Sequence, residues 1–236
     1  NIEIRSTKTH EIVHLLIGHQ IPICNLLLLY SNTLVSGDQA GNMVVWELTN
    51  YTYIGVLKGH TDKIYEIIQL RGDMILTSSA DKKIIVWDAI NYKQITVSQP
   101  FEKPIVSAFM LSETEFLSCS SNIIKKMSYD KEFQEIESLI VDMKMNTLAR
   151  VSKKLFAVGF RNGMIRTYKI KGFELVNTLK GHTDNITKII KLSSDLIATS
   201  SYDERLKIWN FKENIMVKSL SGQGGKMISC FRVSNN

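Results

Sequence analysis

LKGHTDNITKIIKLSSDLIATSSYDERLKIWN, residues 179–210, carries a Gly-His pair at Gly181-His182 and a tryptophan, Trp209, 27 residues beyond the histidine. Residues 57–88, LKGHTDKIYEIIQLRGDMILTSSADKKIIVWD, repeat the arrangement, with His60 and Trp87 again 27 apart. Gly18-His19 leads to Trp46 at the same distance. Three matched pairs with one internal spacing define a repeat. A period of 20–50 residues points to a stacked or circular array of small units. The period itself is 41, read from His19 to His60 and from Trp46 to Trp87.

His60 and His182 are 122 residues apart, close to three periods, so two worn repeats are expected between them. The third repeat runs from about Phe101, with Met127 or Ser128 near the tryptophan position. The fourth has Val141 in place of the histidine and Tyr168 one period before Trp209. The pattern overruns both ends. Ile2–Arg5 and Ile12–Leu16 match Met43–Trp46 and Tyr53–Leu57, and Gly222-Gln223 stands one period after Gly181-His182. Each repeat reads as four short strands, a to d, separated by turn residues. In the second repeat these are Lys63–Leu70, Met74–Ser78, Lys83–Asp88 and Gln94–Val97. Strands b and c, such as Ile75-Leu76-Thr77 and Ile84-Ile85-Val86-Trp87, are apolar runs rather than alternations. Such runs suit strands covered on both faces.

The 236 residues carry a net charge of +6. Lysine outnumbers arginine 22 to 7, and no long basic block occurs, which argues for a solvated surface over a nucleic-acid site. Cys24, Cys119 and Cys230 are an odd, widely spaced set, unlike a disulfide framework or a zinc site. A reducing compartment, cytoplasm or nucleus, is expected. No run of about 18 apolar residues is present, so membrane insertion is not expected. The chain begins with Asn1, in mid-repeat, which predicts further sequence upstream.

A Gly-His…Trp-Asp unit of about 40–45 residues with four strands resembles the WD40 (WD-repeat) β-propeller family. The resemblance covers nearly the whole chain and is sharpest in the second and fifth repeats. It implies an all-β propeller, a single domain over residues 1–236. Five complete four-stranded blades would be flanked by partial blades, within a parent of seven. It also implies a hydrogen-bonded tetrad in each well-kept repeat. By motif match these are His60, Ser79, Asp81 and Trp87, and His182, Ser201, Asp203 and Trp209. The first repeat has Asp38 at the serine position and Ala40 at the aspartate position, so its tetrad is expected to be incomplete. The third and fourth repeats lack both markers and must rest on apolar packing.

The family's usual binding surface is its top, built by the loops between strands d and a and between b and c. Carried over by register, the partner-binding positions are Lys63, Tyr65, Lys144, Arg161, Asn185, Thr187 and Tyr202. The two tyrosines would be anchors, since tyrosine brings large area and a polar tip at low entropy cost. Lys63, Lys144 and Arg161 would favour an acidic or phosphorylated peptide. The function implied is a non-enzymatic scaffold or adaptor that binds other proteins. Alternatives are a nucleic-acid-associated propeller and the substrate-recognition subunit of a ubiquitin ligase. No catalytic residue, metal ligand or cofactor is expected. His10-Glu11-Ile12-Val13-His14 spells a zinc-protease motif, but that chemistry needs a helix. In register this stretch approaches a strand d, where the two imidazoles would lie about 13 Å apart. Gly222–Lys226 is glycine-rich but lacks the phosphate-loop spacing.

Overall fold

The computed structural model describes residues 1–130 and 132–221. Every regular element among them is a β-strand. A leading antiparallel pair, β1 (Ile2–Arg5) and β2 (Ile12–Leu16), precedes five four-stranded sheets. Blade 1 is β3 (Ile23–Leu28), β4 (Thr33–Asp38), β5 (Met43–Glu47) and β6 (Thr52–Leu57). Blade 2 is β7 (Ile64–Gln69), β8 (Met74–Ser79), β9 (Ile84–Asp88) and β10 (Lys93–Val97). Blade 3 is β11 (Ser107–Met110), β12 (Glu115–Ser120), β13 (Ile123–Ser128) and β14 (Gln134–Ile140). Blade 4 is β15 (Met145–Arg150), β16 (Leu155–Phe160), β17 (Ile165–Lys169) and β18 (Leu175–Leu179). Blade 5 is β19 (Ile186–Lys191), β20 (Leu196–Ser201), β21 (Arg205–Asn210) and β22 (Ile215–Ser221). Strand order within each sheet follows the chain, every neighbour antiparallel. These are the blades of the WD40 β-propeller fold class. The expected strand a after Gly222 and the glycine-rich segment lie outside the described residues.

The residues form two compact units. The first holds Asn1–Ile105 with Ser112–Thr114 and Asp130–Phe133, and so contains the leading pair and blades 1 and 2. The second holds Val106–Leu111, Glu115–Tyr129 and the chain from Gln134 on, with blades 3 to 5. Within each unit the sheets stack face to face, which explains the unbroken apolar runs of strands b and c. In the first unit Val35, Met43 and Val45 pack against Ile75, Ile85 and Trp87. Ile2 and Leu16 cover Leu34, Val44 and Trp46. In the second, Ala157, Ile165 and Leu179 pack on Ile197 and Trp209. Each tryptophan therefore faces the sheet before it and is almost wholly buried. Burying a side chain of that size contributes roughly 2–3 kcal/mol or more. The glycine of each Gly-His pair is set by this packing. A Cβ on Gly18, Gly59 or Gly181 would lie 2.6–2.8 Å from the Cη2 of Trp46, Trp87 or Trp209.

The outer strands show a second regularity. In every strand d the register slips by one residue beside the tryptophan position. The residue left over is Val13, Ile54, Ile95, Ile136, Val176 or Val217, and all six are exposed. A bulge twists an edge and interrupts its row of free backbone groups, which hinders pairing with another chain. Exposed β-branched residues on an edge strand invite such pairing, and the bulge at each of them opposes it.

Candidate functional site

Three blades carry a polar chain beneath the loop that enters strand a. In blade 5, Trp209 Nε1 donates to Thr199 Oγ1 at 2.8 Å, and His182 Nε2 meets the same hydroxyl at 2.8 Å. His182 Nδ1 lies 2.7 Å from Asp203 Oδ2. One assignment satisfies every group: indole N–H to threonine oxygen, threonine O–H to Nε2, and Nδ1–H to carboxylate. It requires a neutral imidazole. Burial accordingly pushes His182 below its ordinary value, against the opposing pull of Asp203. Asp203 is pushed up by burial, but the His182 hydrogen bond and the Thr183 and Arg205 amides more than reverse this, and its carboxyl lies below the usual range. Blade 2 repeats the geometry with His60, Thr77, Asp81 and Trp87 at 2.7–2.8 Å.

The hydroxyl in these networks is thus Thr77 or Thr199, not the Ser79 or Ser201 expected from the motif. The reason is reach. Each indole extends one residue pair up the sheet from its partner, Ile75 or Ile197, and ends beside the threonine two residues on. The serines sit at the strand end instead. Ser79 Oγ donates to Asp62 O and accepts from Asp81 N, and Ser201 does the same with Asp184 and Asp203. They fix the turn that aims the aspartate. Blade 1 is a second correction, because its network is complete. His19 Nε2 and Trp46 Nε1 share Ser36 Oγ at 2.7 and 2.8 Å, and His19 Nδ1 meets Asp38 Oδ2 at 3.0 Å. Asp38 stands two residues earlier than the motif demands, yet its carboxylate reaches the imidazole and also accepts the Ala40 and Asn42 amides. These networks consume the buried imidazoles in packing, and each histidine ring lies against its tryptophan at 6.0–6.4 Å.

At the same end of the blades lie the positions expected to bind a partner. Pairing in strand a skips one residue in four blades: Cys24, Tyr65, Asn146 and Thr187. Bulges re-aim a side chain, and these four sit at equivalent places. In the first unit Lys63 Nζ lies 5.4 Å from the centre of the Tyr65 ring, a cation–π pair at the head of β7. Cys24 Sγ approaches Ile64 O at 3.0 Å, and Asn25 Nδ2 donates to Tyr65 O at 2.7 Å, so the Tyr65 backbone is held from blade 1. Burial pushes the Cys24 thiol up, against the pull of Lys63.

In the second unit Arg161 N donates to Lys144 O at 3.0 Å, which joins two exposed basic residues on adjacent loops of blade 4. Asn146 Nδ2 crosses to Ile186 O at 2.9 Å. Tyr202 N donates to Asn185 O at 3.0 Å, and Thr187 Oγ1 shares a hydrogen bond with Ser200 Oγ at 2.8 Å. Asn185 Oδ1 is buried without a partner among the described residues. His10-Glu11-Ile12-Val13-His14 runs into β2, and His14 stacks on Tyr51 at 4.6 Å. Among the described residues no three His, Cys, Asp or Glu side chains converge as a metal site would need. No helix there is long and apolar enough to cross a membrane.

The fold and the polar networks together define a class: all-β blades, each locked by a histidine–hydroxyl–tryptophan chain where the markers persist. Comparison with known families gives the class its name. The WD domain, G-beta repeat (WD40) profile matches residues 51–88 and 173–210, so the chain carries WD40 repeats at these two places. Among curated relatives, protein GFS12 of Arabidopsis thaliana is 29% identical over 66 residues, which is 28% of this chain and 4% of that protein. The E3 ubiquitin-protein ligase COP1 of Pisum sativum is 29% identical over 98 residues, 39% of this chain and 15% of that protein. The chain thus spans a small part of either relative's length.

Proposed function

We propose that this chain is a non-enzymatic scaffold that binds peptide segments of partner proteins through the loops at the histidine end of its blades. WD40 repeats as a class serve as protein-interaction scaffolds. The observation that carries the finer reading is the repeated strand-a bulge, which turns Tyr65 out of the ladder beside Lys63 in the first unit and, in the second, Asn146 beside Lys144 and Thr187 near Tyr202. Lys144 and Arg161 have no ion-pair partner among the described residues and supply charge for an acidic or phosphorylated segment. The networks below these loops leave no free imidazole there for catalysis. The setting is cytoplasmic or nuclear, where the thiols of Cys24 and Cys119 would stay reduced. The likeness to pea COP1 favours a ubiquitin-ligase assembly as one such setting.

The test is affinity capture of the chain from its own cells, with bound proteins identified by mass spectrometry, alongside Tyr65→Ala and Tyr202→Ala. A fixed partner set that weakens in either variant supports the reading, and ubiquitin-ligase components in that set support its setting. Partners retained equally by both variants would remove the loops from the binding surface.

A further inference from the structure

The chain's positive charge is not spread evenly. At the end of blade 4 opposite the Arg161 turn, two loops come together, residues 151–154 between β15 and β16 and residues 170–174 between β17 and β18. They are tied by Ile170 N donating to Lys154 O at 2.9 Å. With the adjoining strand ends they carry Arg150, Lys153, Lys154, Lys169 and Lys171 against a single carboxylate, Glu174. Five cations against one carboxylate leave +4, most of the chain's +6. The matching turns of blade 3 carry Glu113, Asp130 and Glu132 against Lys131, and those of blade 5 balance Lys191 and Lys212 with Asp195 and Glu213. The excess is therefore particular to blade 4.

These loops are fixed. Ser152 Oγ accepts the Lys154 and Leu155 amides at 3.1 and 2.9 Å. Arg150 holds Ser152 O at 3.2 Å and reaches Leu111 O of blade 3 at 3.1 Å. Between the loops opens a shallow, solvent-open cavity of about 440 Å³ lined by Ser152, Lys153, Lys154, Leu155 and Lys169, its carbon surface supplied by Leu155 and the lysine stems. Lys169 is tied to Glu174, whereas Lys153, Lys154 and Lys171 have no ion-pair partner among the described residues.

We propose that this basin is a second docking site, for an acidic peptide segment that places one bulky apolar side chain in the cavity and carboxylates against Lys153, Lys154 and Lys171. The carbon lining selects this occupant over a bare polyanion. A phosphate chain would match the rim and leave the apolar floor unused, whereas a peptide uses both. Charge on the rim sets on-rate and salt sensitivity, and the buried side chain sets residence. The site is separate from the histidine-end loops and does not depend on their role.

The experiment is fluorescence anisotropy with the chain and three labelled probes: an acidic decapeptide with one central tryptophan, the same peptide with serine there, and an oligo-deoxythymidine of equal charge. The expected result is that the tryptophan peptide binds about tenfold more tightly than the other two. Lys153→Glu with Lys154→Glu removes that binding while thermal melting is unchanged, and Tyr202→Ala leaves it intact. Equal affinity for the serine peptide, tighter binding of the oligonucleotide, or full binding by the charge-reversed variant would each overturn the proposal.

Discussion

In blade 5 the space beneath the entering loop is filled by His182, Thr199 and Trp209, joined by hydrogen bonds. One period earlier, in blade 4, the same three places are held by Val141, Val158 and Tyr168, all buried. Blade 4 adds an aromatic cluster: Phe156 stacks on Tyr168 at 5.5 Å and meets Phe173 edge-on at 5.8 Å. A polar chain fixes one geometry and exposes each member to loss if a partner is removed. An apolar cluster has no such dependence, but it tolerates lost volume poorly. Blade 4 also carries buried polar atoms without partners among the described residues, at Thr147 Oγ1, Thr167 Oγ1 and Arg166 Nε.

The largest effect expected from this contrast is in blade 4. Phe156 is fully buried and touches three other rings. Phe156→Ala should destabilise the chain by about 3–5 kcal/mol in chemical denaturation, because the cavity cannot close around rigid neighbours. A cost below about 1 kcal/mol would mean that blade 4 does not rest on this cluster.

Next is Thr199→Val, which keeps shape and removes the shared hydroxyl. His182 Nε2 and Trp209 Nε1 would both be buried and unpaired, at about 1–2 kcal/mol each, so about 2–4 kcal/mol in all is expected. Ser201→Ala should cost less, about 0.5–1.5 kcal/mol, since it removes only a turn hydrogen bond. The order of these two variants is the sharp test of which hydroxyl belongs to the network. Ser201→Ala costing as much as Thr199→Val would restore the motif-based assignment.

That misassignment shows where the sequence was legible. Strand positions follow from the 41-residue period because a one-residue slip would turn every buried side chain outward. Even the blades without markers keep register, with Met127 opposite Phe116 and Tyr168 opposite Phe156, as Trp87 is opposite Ile75. Parity does not decide between Thr77 and Ser79, which lie two apart on one face. Depth decides, through the length of an indole. A signal was nevertheless present. A hydroxyl stands 17 residues after the histidine and 10 before the tryptophan in all three marked repeats, as Ser36, Thr77 and Thr199. The later serine is missing from the first repeat, where Asp38 takes its place and serves as the carboxylate. The basin in blade 4 had no sequence signature, since its lysines come from two loops that only the sheet brings together.

The smallest effect expected is one of pH, and it separates the two blades without mutation. His60 and His182 are held below their ordinary 6.5 by burial, so between that value and their folded values the unfolded chain binds more protons than the native one. Stability then rises with pH across this window. The histidine contribution is fully present above about pH 6.5 and is lost as pH falls toward the folded values. Asp81 and Asp203 also lie below their ordinary 3.8, so their contribution persists above that value and fails only at lower pH, as it falls through the folded values. Blade 4 has no histidine and no counterpart of Asp203, since Asn162 stands there. Amide exchange corrected for intrinsic rates should therefore respond differently in the two blades. At pH 7.5, β20 and β21 of blade 5 should be better protected than β16 and β17 of blade 4, because Thr199 and Trp209 tie β20 to β21 by a buried side-chain hydrogen bond that Val158 and Tyr168 cannot make. By pH 5.5 the difference should narrow, because protonating His182 makes Nε2 a donor and gives Thr199 Oγ1 two donors in place of one. If blade 5 kept its advantage unchanged, the Thr199 hydroxyl would be donating to Lys207 O and accepting from both His182 and Trp209. The neutral assignment, with Thr199 donating to Nε2, would then be wrong.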